Sequence, residues 1–213
     1  MKRNQKAGGY RLNTDFKEEK FDLGRMFGFA YGEKENGAVF SHMAVMYANA
    51  LYKRGFIKEG YKVLKNLLDS AMDFENSIMY PGIPEYFDND GRGLYAYLTG
   101  AASWYMLTMI TEVFGVRGEL GNLVIKPALL PEQFDKDGKA AIKLNFSGRT
   151  LKITIHADID NIQDNNGVYN KIIRVECDGN ELESADLKKV VIMKKRIEEM
   201  SCGRCHEIDV FIK

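Results

Sequence analysis

The chain has 213 residues, 45% of them hydrophobic, with 30 Lys+Arg balanced by 30 Asp+Glu. That supplies enough apolar material for one large domain or two modest ones, and it excludes a disordered chain. Zero net charge excludes an electrostatic case for nucleic acid or an anionic membrane as partner. At the N-terminus, MKRNQKAGGYRLNTDF is basic with no apolar run behind it, so it does not read as a secretory signal. Up to about residue 115 the apolar period is helical. SHMAVMYANALYKRG (41–55) places Val45, Met46, Ala50 and Leu51 near one face, and Gly55 follows Lys53 and Arg54 as a C-terminal stop. IKEGYKVLKNLLDSAM (57–72) puts Ile57, Tyr61, Leu64 and Leu68 at helical spacing and Lys58, Lys62 and Lys65 on the other side. Two such helices with a very short link predict an antiparallel helical hairpin. A third helix, Thr99 to Phe114, is apolar almost all round and is predicted to be buried on most sides. The hairpin covers about half of it, so this part reads as one sector of a larger helical structure.

After Gly121 the period falls to two. The stretches 123–127, 141–146, 151–157, 171–178, 190–193 and 206–212 read as short strands. Ser147-Gly148-Arg149 and Asp178-Gly179-Asn180 read as hairpin turns between them, and 159–170 as a polar loop. The fold class is therefore α+β, with a helical domain over 1–118 and an antiparallel β-sandwich over 119–213. No run of about 18 apolar residues predicts a membrane span. Three cysteines suit a reducing compartment, and the chain is expected to be cytoplasmic.

Four stretches could carry chemistry. GEKENGAVFSH (32–42) packs Glu33, Lys34, Glu35, Asn36, two glycines and His42 ahead of a helix, where free N–H groups favour an anion. Its plainer reading is a helix-entry loop with Ser41 as N-cap. At Leu98-Thr99-Gly100 a small hydroxyl residue and a glycine stand at the start of an apolar helix. The pair offers a hydroxyl, free amides and close backbone approach, which suits a phosphate; a simple cap with close packing is the plainer reading. Cys202-Gly203-Arg204-Cys205-His206 has the literal spacing of covalent haem attachment, but a turn through Gly203 explains it better. The acids Glu85, Asp88 and Asp90 could pair for glycoside chemistry, yet beside Gly91 and Gly93 they read as turn formers. No metal site is predicted, since a zinc centre needs ligands beyond Cys177 and these two cysteines.

The segments KENGAVFSH, YPGIPEYF, YLTGAASW and FGVRGELGNLVIKP occur in this order. Together they resemble the C-terminal part of the family 94 glycoside phosphorylases, the cellobiose and chitobiose phosphorylase group. The likeness is good over residues 8–155 and looser beyond, and Gly118 stands where that family usually has proline. It implies the end of an (α/α)6 helical barrel followed by a β-sandwich. It implies an inverting phosphorolysis of a β-linked oligosaccharide, with inorganic phosphate as co-substrate and no other cofactor. By the same resemblance His42, Thr99 and Gly100 hold phosphate, and Glu35 bonds sugar hydroxyls. The family's acid aspartate lies in a D-W-N-D segment ahead of K-E-N-G, and this sequence has no such segment. The isolated chain is therefore expected not to turn over, and a complementing N-terminal polypeptide and a homo-oligomer are expected partners. The alternative is a non-catalytic carbohydrate-associated binding or assembly module.

Overall fold

The structure is a computed structural model that describes residues 9–18, 20–80, 82–96, 100–157, 171–182 and 188–213. The predicted loop 159–170 lies outside the described residues. The chain divides into two compact units, Met1–Thr108 and Met109–Lys213. Helix and sheet are mixed, as an α+β chain requires.

In the first unit, strand β1 (Val39–Phe40) runs directly into helix α1 (Ser41–Lys53), and a three-residue link leads to α2 (Ile57–Met72). The link is a Schellman turn. Phe56 N–H donates to Leu51 O and Gly55 N–H to Tyr52 O, both at 2.9 Å, with Gly55 at φ +82°. The predicted hairpin is present, but each helix is rotated from the expected face. Ala44, Val45, Ala48, Asn49 and Tyr52 are buried on α1, and Gly60, Val63, Leu64, Leu67 and Ala71 on α2. Met46 and Leu68 face solvent instead. Small residues decide this. A Cβ at Gly60 would fall 2.6 Å from the Tyr52 ring and 3.3 Å from Ala48 O, so the helices meet where their backbones approach most closely.

A one-turn helix α3 (Phe74–Ser77) follows, then β2 (Tyr86–Phe87) and β3 (Gly93–Leu94), which form a small antiparallel sheet in the order β1-β2-β3. Asp88 turns the chain between β2 and β3, accepting from Asp90 N–H at 2.8 Å and Arg92 N–H at 3.0 Å. The last helix, α4 (Gly100–Thr108), packs on α1, where Asn49 donates to the Thr108 hydroxyl at 3.1 Å inside the core. Burial of α4 on most sides does not hold for the described residues. Ala101 and Thr108 are buried, whereas Met106 is 60% and Leu107 45% exposed. Apolar composition states what a helix can bury, and α1 covers only one side.

The second unit opens on a π-helical turn, Met109–Val113, and then builds two sheets. Strands β4 (Val116–Glu119) and β5 (Asn122–Ile125) form a hairpin. They are followed by β6 (Lys139–Phe146), β7 (Arg149–Ala157), β8 (Ile172–Cys177), β9 (Asn180–Glu181), β10 (Val190–Ile192), a short α5 (Lys194–Glu199) and β11 (Cys205–Ile212). The three-stranded sheet runs β10-β5-β4 and the five-stranded sheet β6-β7-β11-β8-β9. All six predicted strands form, and β4 and β9 are additional. One pairing departs from the all-antiparallel expectation: β11 lies parallel to β7, from Cys205↔Thr150 to Ile212↔Ala157. The inward row Leu151, Ile153, Ile155, Ile208, Val210 and Ile212 is essentially dry.

His206 sits on that buried row, 1% exposed, and needs polar partners. Its Nδ1 lies 2.7 Å from Asp178 Oδ2 and its Nε2 2.9 Å from Ser201 O. Asp178 also accepts from Glu207 N–H at 3.0 Å and Arg204 at 2.8 Å. Burial pushes the Asp178 carboxyl up, but His206, the Glu207 amide and Arg204 outweigh it and hold it below the ordinary value. The unfolded chain thus takes up this proton at higher pH than the folded one. The stability contributed is complete above the unfolded value, about 3.9, and is lost as pH falls through the lower folded value. Asp178→Asn is expected to cost about 1–2 kcal/mol at pH 7. Its urea midpoint should then fall less steeply than the wild type's from about pH 5 to 3. Parallel acid profiles of the two proteins would remove the carboxylate from this account.

Candidate functional site

The stretch 32–42 folds into a tight loop that delivers a strand and then a helix. Gly32 N–H donates to Asn36 O at 2.7 Å and Asn36 N–H to Glu33 O at 2.9 Å. Gly32 and Gly37 stand at φ +101° and +78°, a backbone region that favours glycine. Tyr86 donates its hydroxyl to Glu33 Oε2 at 2.7 Å, and burial together with that carboxylate raises the Tyr86 phenol far above its ordinary value. Lys34 Nζ lies 4.3 Å from the Tyr95 ring centre. Glu35 Oε2 is buried with no hydrogen-bond partner among the described residues.

From Gly37 the chain passes through β1 into α1. Ser41 N–H is held by Glu85 O at 2.9 Å, and Phe40, not Ser41, occupies the N-cap, so the capping role read for Ser41 is not realised. Ser41 is the first helical residue and is fully buried. His42 follows, half-buried, with its ring 5.7 Å from that of Trp104. Gly100 lies directly against this imidazole: a Cβ there would fall 2.6 Å from His42 Cε1 and 2.7 Å from Nδ1. His42 Nε2 is buried and has no partner among the described residues. Thr99, read as the cap of the same helix, lies outside the described residues.

The structure therefore brings His42 and Gly100 together, 58 positions apart in sequence, and adds Trp104 behind the imidazole. No hydrogen bond joins Glu35 to His42 among the described residues. Three side-chain polar atoms of this segment are buried without partners among the described residues: Glu35 Oε2, Ser41 Oγ and His42 Nε2. Each costs free energy while empty and regains it when a ligand bonds it. Sequence reasoning passed over Arg11, Asn13 and Tyr31, which hold the 32–37 loop; their contacts are largely to main-chain oxygen or ring faces, which leave no sequence pattern.

The other candidates resolve otherwise. Cys202 and Cys205 are free and exposed, while both ring nitrogens of His206 are occupied, so this stretch offers no axial haem ligand. No cluster of three or more metal-ligating side chains occurs among the described residues. No helix among them is long and apolar enough to cross a membrane.

An α+β chain with a histidine, a glycine and a carboxylate with one buried oxygen in one unit is the class that fold and site define. No protein-family model matches it. Cellobionic acid phosphorylase of Neurospora crassa is 26% identical over 165 residues, covering 71% of this chain and 20% of that protein. The similarity is distant and supports a phosphorylase-like chain. It spans about a fifth of the length of the relative it matches.

Proposed function

We propose that this chain carries the phosphate side of an inverting glycoside phosphorylase site of the family 94 kind. His42, Gly100 and Thr99, the residue that precedes Gly100 in sequence, receive inorganic phosphate, and Glu35 accepts hydrogen bonds from hydroxyls of the sugar. The observation that carries the reading is the bare Gly100 Cα against the His42 ring, with His42 Nε2 buried and unpartnered. Phosphate is an anion already able to attack the anomeric carbon, so the site needs no general base. It must hold two oxygen-rich reactants at one carbon and neutralise charge, which donors preset around phosphate achieve. The proton for the leaving oxygen comes from an acid that the resemblance places ahead of the Lys34–Gly37 motif.

The test is thermal unfolding with and without inorganic phosphate, using sulfate as control. At about a hundredfold excess over Kd, a ligand specific for the folded state adds roughly 2.7 kcal/mol, several degrees in Tm. Wild type should gain this; His42→Ala and Gly100→Val should not, the second because its side chain displaces the imidazole. Equal protection of wild type and His42→Ala would remove the phosphate seat.

A further inference from the structure

Among the residues that hold the loop carrying Glu35, Arg11 reaches toward both of its ends. Arg11 Nη1 donates to Gly37 O and Arg11 Nη2 to Asn89 Oδ1, both at 2.6 Å. Its guanidinium carbon lies 5.4 Å from the centre of the Tyr31 ring. Each of these contacts ends at a glycine. The Tyr31 ring lies on Gly37, where a Cβ would fall 2.1 Å from Cε2. The Asn89 amide lies on Gly32, where a Cβ would fall 2.4 Å from Nδ2. These two glycines are the positive-φ hinges that begin and end the loop.

We propose that Arg11 is a positioning residue: it clamps both hinges of the Gly32–Gly37 loop and so presets Glu35 for a saccharide hydroxyl. Neighbouring contacts complete the clamp. Asn13 Nδ2 donates to Asn36 Oδ1 at 3.0 Å, and Asn36 Nδ2 donates to Phe29 O at 2.6 Å. Positions 32, 33, 36 and 37 are thus held, and Glu35 rides between them with one carboxylate oxygen buried and unpartnered. An unsatisfied buried oxygen persists only where the surrounding structure holds the backbone, and it relaxes into water once the hold is released. A carboxylate oxygen accepts and does not donate, so its complement is an O–H of a polyhydroxylated ligand. Holding it in place beforehand removes an ordering cost from binding. Arginine is required because its planar fork bridges two acceptors on separate segments while stacking on a ring; lysine offers one point of attachment.

This rests on Glu35 as the sugar-binding residue, and the test separates the two claims. Amide hydrogen exchange at Gly32 and Asn36, both bonded within the loop, is measured in the full chain for wild type, Arg11→Lys and Arg11→Ala. Cellobiose binding and phosphate protection are measured on the same proteins. Both variants are expected to exchange about tenfold or more faster at these two amides, with α1 and α2 unchanged. Both should lose about tenfold or more in cellobiose affinity and keep phosphate protection. Asn89→Ala, which releases only the Gly32 end, should accelerate Gly32 and spare Asn36. Wild-type exchange in both Arg11 variants overturns the clamp, as does an Arg11→Lys protein with wild-type exchange and affinity. A wild type that binds neither ligand defeats the functional reading, and loop exchange still decides the clamp.

Discussion

Gly115→Ala is expected to lose about 4 kcal/mol or more, enough to unfold a marginal domain near physiological temperature. Gly115 stands at φ +67°, and an added Cβ would fall 1.8 Å from Lys126 O and 2.2 Å from Lys126 C. The obstacle is backbone, and that backbone is pinned. Lys126 N–H donates to Gly115 O at 3.0 Å and Ala128 N–H to Val113 O at 2.9 Å, so moving Lys126 breaks the pairing that joins the π turn to β5. Gly179→Ala is the control. Gly179 has φ +76° with open space where a Cβ would go, so only the left-handed strain of about 1–2 kcal/mol applies. Urea unfolding of the two variants measures the difference. If Gly115→Ala falls within about 1 kcal/mol of Gly179→Ala, close approach is not what selects glycine at 115.

The predicted third helix stops at Phe114, just before that glycine, but nothing in the sequence marks it as the place where two backbones touch. The same division runs through the fold. Ser147-Gly148 and Asp178-Gly179 are turn pairs on their chemistry, and both adopt positive φ at both residues. Leu120-Gly121 adopts the same geometry, φ +52° and +85°, and went unread because leucine is a poor turn residue. Period-two alternation marked β7 and β11 as strands; it says nothing about the partner strand, so their parallel pairing could not be read. On α1 and α2 the longest apolar side chains suggested one face, and the small residues Ala48 and Gly60 selected another. At the candidate site, composition marked the 32–42 loop and the Thr99-Gly100 junction separately. Only the family resemblance suggested that they work together, and the His42–Gly100 contact is the part the described residues supply.

Arg117→Ala is expected to cost about 3 kcal/mol through a charge left behind. Glu112 lies on the π turn with its side chain only 4% exposed. Arg117 Nη2 bonds its Oε2, and the Thr111 hydroxyl donates to Oε1 at 3.2 Å. Arg117 Nε also donates to Thr111 O at 2.7 Å, covering a main-chain carbonyl within the π turn. Without the guanidinium a buried carboxylate keeps one neutral donor among the described residues, which is the costly way to break such a pair. Arg117 is itself 42% exposed, so water reaches the gap, which places the cost at the low end of the range for buried pairs. Replacing both partners by apolar residues leaves no stranded charge. Glu112→Met/Arg117→Met should therefore be more stable than Arg117→Ala, with coupling between the sites of about 1–3 kcal/mol. A double-mutant cycle by urea unfolding gives that number, and additive single costs would mean that Glu112 is hydrated despite its burial. Arg117 thus stands to the π turn as Arg11 stands to the 32–37 loop. In each unit a planar fork joins a main-chain carbonyl to a side-chain oxygen, and in each the backbone it holds is irregular. Irregular backbone lacks the repeating bonds of helix and sheet, so its geometry depends on single side chains, and those are the positions where one substitution has the most to change.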